Sequence, residues 1–374
     1  MACERRSFLK GVAAAGLAAA AAPPCRGAGE APEEASPFPV KPARHFVALP
    51  EKKVRCELCP RKCEVADRER GYCGVRENRD GAYVTLVWGR ACSLNIDPIE
   101  KKPLFHFLPG TTALSTATAG CNMECKFCQN WEISQFRPEQ IEARCIPPAQ
   151  MAEIAAARGA PAIAYTYSEP VVFFEYMYDC AVAGNARKIR SVMISNGYIL
   201  EPALAELCDV LAAVKIDLKG FTEKFYKEYT KGELAPVLAA LKYLAKRRMW
   251  FEIVVLLIPS LNDGAAELTE MCAWIAGELG PDVPLHFSRY HPMYKLKNIP
   301  PTPLLSLERA HAIAKKAGLN YVYLGNVSGH AAESTYCPKC GKVVIARYGY
   351  RVGARALAGG KCAGCGAPIP GVWE

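Results

Sequence analysis

Between residues 112 and 324 two patterns alternate. Short, mostly apolar β-prone runs recur at 113–118, 162–166, 192–195, 214–218, 251–257, 285–288 and 321–324. Between them lie longer stretches with helix-like spacing of apolar residues, at 148–158, 171–189, 202–211, 234–248, 265–279 and 307–317. Alternation of this kind builds right-handed βαβ units on a parallel sheet. Six or seven repeats predict an α/β fold with a curved sheet, a partial (β/α)6-type TIM barrel over 106–330. Such folds carry their chemistry at the C-terminal ends of the strands.

The flanks read differently. Cys3-Glu4-Arg5-Arg6-Ser7-Phe8-Leu9-Lys10 precedes an apolar run at 11–22 and then Pro23-Pro24. A charged region followed by about a dozen apolar residues is a signal peptide, too short for a membrane-spanning helix. The paired arginines before Phe-Leu-Lys look like a twin-arginine (Tat) signal over 1–29. That pattern predicts folded export to the periplasm and a mature chain without a transmembrane helix; the alternative is a cytoplasmic protein with an uncleaved tail. Residues 30–50, rich in Pro, Glu and Ala, read as a linker. A Cys-rich segment is expected over 51–105, and a second Cys- and Gly-rich module over 331–374. The latter is too small for an ordinary core and needs a staple.

Composition narrows the class. Of 374 residues, 51% are hydrophobic and 22% charged, which argues against both wholesale disorder and a polytopic membrane protein. The net charge of +9 is mild and dispersed, so it gives no strong nucleic-acid signal. The outlying feature is 18 cysteines. Eleven fall in three tight groups: Cys56, Cys59, Cys63 and Cys73; Cys121, Cys125 and Cys128; and Cys337, Cys340, Cys362 and Cys365. Close spacings gather sulfurs around one metal or cluster, whereas disulfides usually join distant segments. A metalloprotein is therefore expected rather than a disulfide scaffold. The other seven (Cys3, Cys25, Cys92, Cys145, Cys180, Cys208 and Cys272) read mostly as signal or core residues.

The central group follows the first strand of the alternating region, behind Gly120. Three thiolates can ligate three irons of a [4Fe–4S] cluster and leave the fourth without a protein ligand, where the usual cluster has four cysteines. The open iron is a Lewis acid that can chelate the amine and carboxylate of S-adenosylmethionine (SAM). Phe127, just before the last cysteine, is placed to pack on an adenine. The plainer alternative is a four-ligand zinc or electron-transfer site completed by Cys145 or Cys92. The segment Cys121-Asn122-Met123-Glu124-Cys125-Lys126-Phe127-Cys128 resembles the CxxxCxΦC motif of the radical SAM superfamily. Gln129-Asn130-Trp131, the segment Asp97-Pro98-Ile99-Glu100-Lys101-Lys102-Pro103, and Gly325-Asn326 before Cys337-Pro338-Lys339-Cys340 are similar to the radical SAM enzyme of the AmmeMemoRadiSam system. That family is related to pyruvate formate-lyase activating enzymes. The similarity runs from about residue 45 to the C-terminus.

The resemblance implies further positions. Tyr167-Ser168-Glu169-Pro170 stands where the family has a GGEP segment that meets the methionyl amine of SAM; both glycines are replaced and Glu169 is kept. Asn196, Asp217 and Lys219 follow the next two strands, Lys219 facing the SAM carboxylate and Asp217 the ribose or amine. Ile258-Pro259 and Asn262-Asp263 would line an adenine pocket, and His291 would approach the ribose. The implied reaction is reductive cleavage of SAM at the [4Fe–4S] cluster to a 5′-deoxyadenosyl radical, which abstracts hydrogen from an unidentified substrate. Two alternatives remain: a glycyl-radical-enzyme activase, and an exported iron–sulfur electron carrier without SAM chemistry. Implied partners are a flavodoxin- or ferredoxin-type electron donor, a Memo-like protein and an AMMECR-type domain.

The flanking groups imply metals of their own. Cys337-x2-Cys340-x21-Cys362-x2-Cys365 has zinc-ribbon spacing, and Zn²⁺ there would supply folding energy to a segment with little core. Lys339, Lys342, Arg347, Arg351 and Arg355 read as a solvated face rather than a nucleic-acid surface. Cys56-x2-Cys59-x3-Cys63-x9-Cys73 supplies four ligands, enough for Zn²⁺ or an auxiliary Fe–S cluster; a structural metal is preferred.

Overall fold

A computed structural model describes residues 40–374 of the chain. The expected Tat-type leader and the first part of the expected linker lie outside the described residues.

The centre is an eight-stranded sheet: β1 (Ser93–Pro98), β2 (Thr112–Ala117), β3 (Ala162–Tyr165), β4 (Arg190–Ser195), β5 (Ala213–Asp217), β6 (Phe251–Leu257), β7 (Leu285–Arg289) and β8 (Val322–Gly325). Each strand pairs with its sequence neighbours, and β2 to β8 all run parallel. The crossovers carry α1 (Pro148–Ala157), α2 (Phe174–Ala186), α3 (Glu201–Cys208), α4 (Leu234–Arg247), α5 (Ala265–Trp274) and α6 (Leu304–Lys316). The fold is the partial α/β barrel that the alternation predicts, since parallel strands joined by helices are covered on both faces and become continuously apolar. All four residues of β3 are buried. Helix α4 turns Leu234, Val237, Ala240, Leu241 and Leu244 toward the sheet, three or four residues apart.

Some boundaries differ from the expected ones. β1, assigned by pattern to the Cys-rich region, is an antiparallel edge strand that pairs with β2 from Ser93↔Ala117 to Pro98↔Thr112. Helix α2 begins at Phe174 because Pro170–Phe173 first makes a 3-10 turn, whose N-cap is Glu169. Residues at the end of the expected linker are folded: Lys41–Pro42 pairs with Ala82–Thr85, and Phe46–Ala48 with Val54–Cys56. The Cys-rich region contains two small antiparallel sheets, yet Val54, Leu58, Val65, Val75 and Tyr83 belong to the same apolar core as the barrel.

The C-terminal module is a three-stranded antiparallel sheet (Thr335–Tyr336, Val343–Tyr348, Arg351–Arg355) with its own small core, joined to Phe105, Tyr321 and Tyr323. It closes the rim formed by the strand beginnings, opposite the rim where the strands end. No helix among the described residues is long and apolar enough to cross a membrane.

Candidate metal centre at the rim of the sheet

Gly120 turns the chain out of β2 and into the central cysteine loop. Its φ is +97°, and a Cβ there would lie 2.6 Å from Val75 Cγ1 and 2.9 Å from the Cys73 carbonyl oxygen. Only glycine fits this close approach. The loop is then pinned by its backbone: Glu124 N–H donates to Thr230 O (2.8 Å) and Lys126 N–H to Tyr229 O (2.9 Å). Asn122 is fully buried and donates to Tyr198 O (2.8 Å). Asn196 Nδ2 reaches Asn122 Oδ1 at 2.9 Å and Cys121 Sγ at 3.9 Å.

Burial pushes the Cys125 thiol up to about 12 and raises those of Cys121 and Cys128. Thiolate ligands are therefore formed here only together with a cation. Soft sulfur donors suit iron–sulfur clusters or zinc. The three sulfurs do not lie within 4.8 Å of one another, a condition met among the described residues only by the C-terminal cysteines. A single tetrahedral ion with metal–sulfur bonds of about 2.3 Å would draw its sulfurs to roughly 3.8 Å. The open three-thiol set fits a cluster in which each sulfur binds a different iron.

A polar wall faces this loop from the ends of β3, β4 and β5. Glu169 is buried, and its carboxylate accepts from the Ser195 hydroxyl (2.6 Å), Asn196 N–H (2.8 Å) and Val171 N–H (3.1 Å). Burial outweighs these bonds and lifts its pKa to about 7. An ammonium group opposite would restore full ionisation. Lys215 and Lys219 both donate to Asp217, the latter at 3.0 Å. Burial alone would raise Asp217, but the two ammonium groups hold it down at about 2. Lys219 loses solvation by burial and gains more from Asp217, so its charge is held well above the ordinary lysine range.

The Tyr167-Ser168-Glu169 turn keeps the backbone form that glycine would favour. Tyr167 has φ +68°. Its hydroxyl donates to Asp97 (2.5 Å), which also accepts from Lys101 (2.7 Å) and Lys102 (2.6 Å). Ser168 Oγ donates to Thr118 O (2.7 Å), and Asn130 Nδ2 to Tyr167 O (2.9 Å). The Asp97 motif thus reaches the site through Tyr167, a role its sequence position did not reveal.

The structure brings Cys121, Cys125, Cys128, Glu169, Asn196, Asp217 and Lys219 to one rim. Phe127 is buried against Phe225, with ring centroids 6.0 Å apart. Asn262, expected at an adenine pocket, is engaged with backbone: it donates to Lys219 O and Leu256 O and accepts from Ile258 N–H. Asp263 accepts from Ser260 N–H (2.8 Å). His291 is exposed and has no hydrogen bond to another described residue. Sequence reading missed Ser195 and Lys215. Lys215 was legible, since positions 215, 217 and 219 fall on one face of a strand; Ser195 bears no such signal.

Residues 115–272 match the radical SAM superfamily model. The chain is also 46% identical over 309 residues to an uncharacterised protein of Methanocaldococcus jannaschii, covering 83% of this chain and 92% of that protein. The chain carries a radical SAM superfamily domain. Solved radical SAM structures similar to it include a radical SAM methyltransferase from Sphaerobacter thermophilus, 17% identical, covering 63% of this chain and 71% of that one with TM-score 0.47. A domain of the pyruvate-formate lyase-activating enzyme from Bacteroides vulgatus is 14% identical, covering 44% of this chain and 98% of that one with TM-score 0.39. In this radical SAM protein the superfamily implies a [4Fe–4S] cluster and SAM, and the three-thiol loop with its acidic and basic neighbours fits both.

The C-terminal cysteines form a separate centre. Cys337 Sγ lies 3.6 Å from Cys365 Sγ, and Cys340 Sγ 3.7 Å from Cys362 Sγ. These distances are near the edge of about 3.8 Å that one tetrahedral ion imposes. Gly341 and Gly366, at φ +71° and +72°, turn the two knuckles.

Proposed function

We propose that this protein is an enzyme that cleaves SAM reductively and uses the resulting radical to take hydrogen from a substrate held over the rim. One arrangement carries the reading: the three-thiol loop shares one rim with buried Glu169 and with the Lys215–Asp217–Lys219 triad. When bound, a [4Fe–4S] cluster on Cys121, Cys125 and Cys128 supplies the electron that splits SAM into methionine and a 5′-deoxyadenosyl radical. The chain's own part is binding and exclusion of water. Lys219, fixed in its charged form, attracts the SAM carboxylate. Glu169 receives the ammonium group, and Asn196 anchors the cysteine loop beside both. Phe127 closes the apolar side. A pure electron carrier has no use for such a cage of opposite charges. The reading extends to a low-potential one-electron donor of flavodoxin or ferredoxin type, and to Zn²⁺ at the C-terminal centre.

The test is anaerobic reconstitution, addition of dithionite and SAM, and chromatography for 5′-deoxyadenosine. The intact protein should form it; Cys125→Ala, lacking one of three ligands, should form none. Unchanged cleavage in that variant would sink the assignment, and a cluster-replete protein that never cleaves SAM would favour the carrier.

A further inference from the structure

The N-terminal cysteines were expected to hold a structural metal, and their surroundings favour something larger. Cys56, Cys59, Cys63 and Cys73 all line one cavity, together with Arg61, Arg76, Tyr83 and Asn122. Unlike the C-terminal four, these sulfurs do not converge to within 4.8 Å of one another. The same chain therefore shows a compact four-sulfur site with edges of 3.6 and 3.7 Å and two open ones. One of the open sites is the radical SAM loop.

The cavity wall also carries donors without acceptors. Arg76 and Tyr83 are almost fully buried, at 1% and 2% exposure. Arg76 Nη2 is engaged with Glu175 and with Arg44 O, but Arg76 Nε and Arg76 Nη1 have no partner, and the Tyr83 hydroxyl faces the Cys56 thiol. Burying a donor without an acceptor is unfavourable, so a native site supplies acceptors. Gly71 leaves room for the phenol: a Cβ there would lie 3.0 Å from Tyr83 Oη and 3.9 Å from Cys63 Sγ. Backbone N–H groups already turn toward the thiols, Tyr72 N–H lying 3.5 Å from Cys63 Sγ.

We propose that Cys56, Cys59, Cys63 and Cys73 hold a second [4Fe–4S] cluster, with Arg76 and Tyr83 donating to its sulfurs. Zn²⁺ offers the same overall charge but requires the sulfurs to close on one ion. A cubane holds four cysteines apart on four irons and adds inorganic sulfides as acceptors. The cavity abuts the radical site. Asn122, on the central cysteine loop, lines it, and Arg61 Nε donates to Asn122 O at 2.6 Å.

The decisive protein is the full chain with Cys121→Ala, Cys125→Ala and Cys128→Ala together, reconstituted anaerobically with iron and sulfide. It should retain about four irons and about four acid-labile sulfides per chain, with a reduced-state EPR signal that SAM leaves unchanged. A variant without labile sulfide overturns the proposal, whether the site holds zinc, one iron or nothing. Should that variant fail to fold, Cys63→Ser in the otherwise intact chain is the second test. Its iron should fall from about eight to about four per chain, with zinc unchanged. Unaltered iron, or loss of zinc instead, overturns the proposal. Tyr83→Phe should keep the iron count and make the second cluster's potential more negative, because hydrogen bonds to sulfur raise it; an unchanged potential removes Tyr83 from the site. None of these readouts depends on SAM cleavage, so failure here and failure of the proposed function are distinguishable.

Discussion

Tyr167 shows how one side chain replaces what glycine does elsewhere. A non-glycine residue at φ +68° costs of order 1–3 kcal/mol. Its hydroxyl bond to the charged Asp97 contributes about 1.5–3 kcal/mol in return, so the turn is held rather than merely tolerated. Tyr167→Phe should therefore lose about 1.5–3 kcal/mol in denaturant titration and weaken SAM binding, while the cluster spectrum stays intact. Glu169→Gln keeps the volume and removes the charge that would meet an ammonium. Loss of one charge-assisted bond of about 1.5–3 kcal/mol should weaken SAM about 10- to 100-fold by calorimetry. The cysteine spacing was legible in sequence as a ligand set, and Glu169, Asp217 and Lys219 as candidates because the family resemblance marks them at strand ends. Ser195 and Asn122 were not, since only the folded loop shows where their hydrogen bonds go.

At the scale of elements, strand order was the easy part. Seven apolar runs separated by helices of ordinary length admit few parallel topologies. The edge strand β1 escaped because Ser93–Pro98 is half exposed and alternates only through Leu94 and Ile96. Helix α2 starts late because the Glu169 carboxylate takes the cap position before it. The C-terminal module is an element stapled by its sulfurs. Cys337→Ser, at a buried ligand, should lose about one zinc per chain and lower the melting temperature. The central cluster's spectrum should persist; its loss would mean the two centres are not independent.

At the scale of the molecule, the closed rim is locked by a directed hydrogen-bond chain. Arg347 Nη1 donates to Thr335 Oγ1 (2.7 Å), whose hydroxyl reaches Tyr323 Oη (2.9 Å). Tyr323 reaches His106 Nε2 (2.6 Å), and His106 Nδ1 reaches Pro370 O (2.6 Å). A proline carbonyl only accepts, so Nδ1 carries the proton and Nε2 accepts, which is the neutral imidazole. Burial lowers its pKa from 6.5 to about 4. The unfolded chain thus binds a proton that the folded one refuses, and stability is lost as pH falls from about 6.5 to about 4. Melting curves across that range should show the decline, and His106→Gln should flatten it. The sequence alone determined the order of strands, the rim on which chemistry falls and the sulfur content of three centres, because periodicity and spacing are local properties. Folding sets how far apart each group of sulfurs stands, which buried donors face them, and that the N-terminal segment shares the barrel's core. Those depend on side chains distant in sequence meeting in one packed interior, where volume and unpaired polar groups select the ligand.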